Sequence, residues 1–90
     1  MARLSDQDAR ARLAALRGWE IRDGRLRKRY ELDSFASALA FVNRVGALAE
    51  EADHHPDILI EYKHVTLTLV SHDSGGLTAR DFALAAQIDA

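Results

Sequence analysis

Hydrophobic positions along this chain switch between a period near 3.6 and a period of two. Ala9, Leu13 and Leu16 recur at helical spacing. This predicts a first helix that starts at Ser5, with Ser5 and Asp8 as the halves of a capping box and Gly18 as the stop. From Trp19 to Leu32 the pattern alternates. Trp19 and Ile21 sit among charged neighbours, Asp23-Gly24 supplies a tight turn, and Leu26, Tyr30 and Leu32 continue one face. Lys28 interrupts that face, while Arg25, Arg27, Arg29 and Glu31 make the other one solvated.

Asp33 or Ser34 then caps a longer helix, whose core-facing stripe is Phe35, Ala38, Leu39, Val42, Val45, Ala49 and Ala52. It ends near Ala52 or Asp53, and Pro56 blocks further helix. Ile58, Ile60 and Tyr62 alternate with Leu59, Glu61 and Lys63, and Val65, Leu67 and Leu69 with Thr66, Thr68 and Val70, with a short turn at Lys63-His64 between the two strands. Thr78 caps the last helix with Asp81 three residues on, and Phe82, Leu84, Ala85 and Ile88 form its apolar face. The predicted order is α-β-β-α-β-β-α. It is an α+β fold with a four-stranded antiparallel sheet and three helices packed on one face.

Ninety residues make a single domain, 1–90, and show no linker or repeat. Hydrophobic residues are 48% and charged residues 29%, which excludes a disordered chain. Twelve basic and fourteen acidic residues give a net charge of −2, so nothing draws the whole chain toward nucleic acid or an anionic membrane. No apolar run approaches the roughly 20 residues that span a bilayer. The polar start, Met1 to Arg12, is not a signal peptide. There are no cysteines, so thiolate chemistry and disulfides are excluded, and a cytoplasmic location is expected.

Histidine placement is the informative feature. His54 and His55 fall where the second helix ends, and His72 where the last strand ends, positions at which functional groups concentrate. Imidazole exchanges protons near neutrality. Glu50 lies four residues before His54, so helical spacing makes them neighbours and lets the carboxylate orient the ring. Alternation puts His72 on the side of Thr66, Thr68 and Val70. His64 reads as a solvent-facing turn residue without a role. No phosphate-binding glycine loop or G-x-S-x-G nucleophile elbow occurs.

Glu50, His54-His55-Pro56, Tyr62, His72 and Asp81, at these spacings, resemble the signature of the pterin-4a-carbinolamine dehydratases. The signature covers 32 residues and fixes seven positions. Gly18-Trp19, the Tyr30 to Phe35 stretch and Phe41-Val42 extend the resemblance more weakly. It implies a hydro-lyase that removes water from 4a-hydroxytetrahydropterin to give quinonoid dihydropterin in tetrahydrobiopterin recycling. No metal or organic cofactor takes part. A dimer or tetramer of the chain is expected.

By the same resemblance, His54, His55 and His72 are the site histidines. His54 and His72 are assigned to acid–base work and His55 mainly to binding the pterin. Glu50 would orient His54, Asp81 would support the site from the last helix, and Pro56 would set the chain direction. Tyr62 is core or a site wall, with core preferred, and Trp19 is a packing residue or part of the pterin pocket. Two rivals stand beside this reading. One is a metal site built from His54, His55, His72 and Asp81, which are reasonable ligand types. The other is a non-catalytic interaction or dimerisation protein, because mammalian relatives bind a homeodomain transcription factor.

Overall fold

A computed structural model describes residues 2–90. The elements are helix α1 (Asp6–Leu13), strands β1 (Glu20–Arg22) and β2 (Arg25–Glu31), helix α2 (Phe35–Ala52), strands β3 (Asp57–Glu61) and β4 (His64–Leu69), a single 3-10 turn (His72–Ser74) and helix α3 (Ala79–Ile88). The strands form one antiparallel sheet in the order β1-β2-β4-β3. The α-β-β-α-β-β-α order is as expected, and the added 3-10 turn lies within the predicted loop.

The caps follow from local chemistry. Ser34 accepts the Ser37 N–H at 3.1 Å, and Thr78 with Asp81 forms a complete capping box. At α1 only one half of the box forms. Ser5 accepts the Asp8 N–H at 3.1 Å, and Asp8 returns no bond. Helix α1 stops at Leu13, so Leu16 packs on the core from outside it.

One sheet face presents Leu26, Val65, Leu67 and Leu69, all fully buried, to the helices. Ala38, Val45 and Ala49 of α2 and Phe82, Leu84, Ala85 and Ile88 of α3 close over them. Small residues at the α2 contact let the helix approach the sheet closely. The α2 stripe is broader than the surface it covers: Phe35 remains 49% exposed and Leu39 41% exposed. Lys28, which broke the apolar face of β2, keeps its stem on the core side. Its Nζ donates to the Arg17 carbonyl at 2.9 Å and to Asp89 at 3.0 Å, so the cation is satisfied at the core edge.

Three local expectations are corrected. The hairpin between β3 and β4 turns at Tyr62 and Lys63, not at Lys63-His64. Tyr62 takes φ +56 there and is 68% exposed, so it is not core, and it does not line the hollow that the histidines share. His64 is the first residue of β4, and its Nε2 lies 3.2 Å from Glu31 Oε1. That hydrogen bond, with Lys63 nearby, holds the Glu31 carboxyl below its ordinary range.

Candidate active site

The C-terminal end of α2 sets the first half of the site. Asp53 adopts the left-handed conformation (φ 49). Its N–H bonds to the Glu50 carbonyl at 3.2 Å, and the His54 N–H bonds to the Ala49 carbonyl at 3.0 Å, which is the Schellman pattern. This reversal breaks the i,i+4 relation on which the Glu50–His54 pairing depended. His54 turns inward and is 8% exposed. His55 turns outward and takes Glu50 instead, with Nε2 at 2.5 Å from Oε2. Their side chains are 57% and 78% exposed, so solvent screens the pair. Pro56 then leads directly into β3.

Asp81 is the carboxylate that meets His54. It is fully buried, and its Oδ1 lies 2.5 Å from His54 Nε2. Its Oδ2 accepts the Ser71 hydroxyl and the Thr78 backbone N–H, each at 2.9 Å. Ser71 Oγ also lies 2.8 Å from Thr78 Oγ1. Both Asp81 oxygens are therefore engaged, which fixes the carboxylate and the ring it holds. With Nε2 donating to Asp81, Nδ1 is the His54 nitrogen left for proton exchange.

The second half is the loop after β4. Ser71 and Gly76 exchange backbone hydrogen bonds at 3.2 and 3.3 Å. Between them the chain closes a knuckle, with Gly75 at φ +73. His72 opens the 3-10 turn inside that knuckle, so it has left the strand alternation that set it beside Thr66 and Thr68. It is exposed and lines an open hollow of about 290 Å³ together with His54, His55, Asp53, Val70 and Arg80. The three histidines thus share one hollow, near the lower end of the size range of small-molecule sites.

Arg80 is a lining residue that sequence reasoning missed. Its guanidinium donates to Asp73 at 2.6 Å, which holds the Asp73 carboxyl below its ordinary range. The Arg80 Nε is buried without a hydrogen-bond partner. Ser71, which anchors Asp81, was also overlooked. Adjacency to His72 and Asp81 is the only signal for Ser71 and Arg80 in the chain itself.

Trp19 is not brought to this hollow. It is buried in the core, edge-on to Tyr30 at 6.3 Å between ring centroids, and its Nε1 donates to Asp89 at 2.7 Å. Among the described residues no group of three or more His, Asp or Glu side chains is arranged to hold a metal ion. No helix among them is long and apolar enough to cross a membrane.

The family model for pterin 4 alpha carbinolamine dehydratase matches residues 2–90. The chain belongs to this family. A relative from Roseiflexus sp. (strain RS-1), provisionally named a pterin-4-alpha-carbinolamine dehydratase, is 54% identical over 97% of this chain and 94% of its own. A solved transcriptional coactivator/pterin dehydratase from Brucella melitensis superposes with a TM-score of 0.92 at 29% identity, covering 97% of this chain and 95% of its own. A second solved structure is a pterin dehydratase-like protein described as a RuBisCO assembly factor in the alpha-carboxysome. It is 30% identical with a TM-score of 0.65, covering 79% of this chain and 82% of its own. Within the pterin 4 alpha carbinolamine dehydratase family, this chain carries its histidines at the end of α2 and in the loop after β4.

Proposed function

We propose that the protein is a 4a-hydroxytetrahydropterin dehydratase working by histidine acid–base chemistry in tetrahydrobiopterin recycling. The reaction breaks the C4a–O bond and removes the N5 proton, so that hydroxide and proton leave together as water. It needs one group to protonate the departing hydroxyl and another to accept from N5. The carrying observation is that His54, His55 and His72 line one hollow while Asp81 holds His54 by its Nε2. Positioned acid–base groups of this kind supply about 10²–10⁴-fold. His54 and His72 do the proton transfers, His55 with Glu50 orients the ring, and Pro56 directs the chain away from the site. Membership of the family supports the substrate class.

The test follows 4a-hydroxytetrahydropterin decay spectroscopically with purified protein. H54A and H72A should each lower kcat/KM by about 10²-fold or more. Wild-type protein without measurable dehydratase activity would sink the reading and leave an interaction role, of the kind that the coactivator and the assembly factor among its solved relatives represent.

The reading includes a cytoplasmic homo-oligomer, a dimer or tetramer. The cysteine-free composition fits that location. Strand β3 is a sheet edge with Leu59 exposed beside Tyr62, and Phe35 and Leu39 leave apolar surface on α2. Light scattering behind size-exclusion chromatography should give at least twice the chain mass, and L39D or L59K should reduce it.

A further inference from the structure

The histidine hollow does not end at His72. Val70 and His72 also line a second hollow, which runs past Arg25 to the Gly75-Gly76 loop. Gly75, Gly76, Asp23 and Gly24 are shared in turn with a third, of about 350 Å³, floored by Leu4, Ala9, Ile21 and Leu77. The three hollows adjoin through these shared lining residues as a groove, and His72 borders the first two.

The far hollow has an apolar floor and a rim of mixed charge. Arg3 and Arg10 border the third hollow and Arg25 the second. Asp6 and Asp23 border it too, yet none of the ion pairs among the described residues engages Arg3, Arg10 or Arg25. Arg3 is also seated. The Leu4 N–H bonds to the Leu77 carbonyl at 2.8 Å, tying the N-terminal segment to the loop. Its side chain crosses Gly76 so closely that a Cβ there would lie 2.9 Å from Arg3 Cδ. Across the second and third hollows, three guanidinium groups outside any ion pair outnumber the two carboxylates by one, and planar guanidinium matches phosphate oxygens in pairs.

We propose that this groove is a subsite for the substituent on C6 of the pterin and that it favours a substituent ending in phosphate. The inference rests on the dehydratase reading of the histidine hollow. In the pterin ring N5 is bonded to C6. The imidazole that accepts the N5 proton therefore stands where the substituent leaves the ring. His72, shared by the hollow and the groove, meets that condition, which leaves His54 for the 4a-hydroxyl.

The experiment compares two 4a-hydroxytetrahydropterins, one with a neutral dihydroxypropyl chain on C6 and one with the same chain phosphorylated. Wild-type protein at low salt should show a KM about tenfold lower for the phosphate ester. The R3Q/R10Q variant should erase that difference by raising KM for the phosphate ester about tenfold. Equal KM values in the wild type, or parallel losses on both substrates, would overturn the subsite. Turnover of neither substrate would instead overturn the dehydratase reading. Fluorescence titration with the two fully oxidised pterins then judges the groove alone. Tighter binding of the phosphate ester, lost in R3Q/R10Q, supports it, and equal binding refutes it.

Discussion

His54 and Asp81, 27 positions apart in the chain, meet through Nε2 and Oδ1 at 2.5 Å, and the carboxylate at that contact has no solvent exposure. The same Asp81 closes the capping box of α3 and anchors Ser71, so one side chain joins a helix start, a loop and an imidazole. Loss of this carboxylate should act on stability and activity together. D81A leaves the Ser71 hydroxyl and Thr78 N–H without their acceptor, and should cost about 3 kcal/mol by chemical denaturation. D81N keeps much of the volume but presents the wrong hydrogen-bond pattern to His54. It should lower kcat more than it raises KM.

Glu50 should behave differently, because its contact with His55 lies in solvent. E50Q is expected to change unfolding free energy by less than about 0.5 kcal/mol. Its effect should fall on KM, through the orientation of His55. A stability loss as large as that of D81A would contradict this division.

Trp19, Lys28 and Tyr30 converge on Asp89 at the end of α3, with Tyr30 Oη donating at 2.6 Å. Partial burial works to raise the Asp89 pKa, but hydrogen bonds from Tyr30, Lys28 and Trp19 outweigh it and hold the carboxyl below its ordinary range. A depressed folded pKa stabilises the protein above the unfolded value, near 4, and this contribution is lost as pH falls through the folded value. D89N should therefore lower Tm at neutral pH, and the gap to wild type should close in acid. Burial, then Asp89, pushes the Tyr30 hydroxyl well above the tyrosine range. Its ionisation, followed by ultraviolet absorbance, should coincide with alkaline unfolding.

Gly75 holds the knuckle that carries His72 in a left-handed conformation, and no atom would crowd an added Cβ. The cost of G75A is then backbone strain alone, about 1 kcal/mol. Displacement of His72 should appear as a fall in kcat larger than that stability loss would explain. Unchanged kinetics would argue against a role for the knuckle in catalysis.

If His54 and His72 act as complementary acid and base, kcat/KM should be bell-shaped against pH. H72A should remove one limb and keep the other. A flat profile from pH 5 to 9 would end the acid–base assignment.

Local chemistry made much of this molecule legible from its residues in order. Helix starts at Ser5, Ser34 and Thr78, the Asp23-Gly24 turn and the period-two runs depend on groups within a few positions of one another. So do the four strands and the element order, and the spacing from Glu50 to Asp81 carried the family resemblance. The β1-β2-β4-β3 order, the Asp89 cluster that claims Trp19 and Lys28, and the carboxylate that His54 meets depended on tertiary structure. The reason is that each joins groups distant in the chain. A single left-handed residue, Asp53, rotates His54 away from its helical neighbour Glu50, and only packing of α3 beside α2 brings Asp81 to receive it.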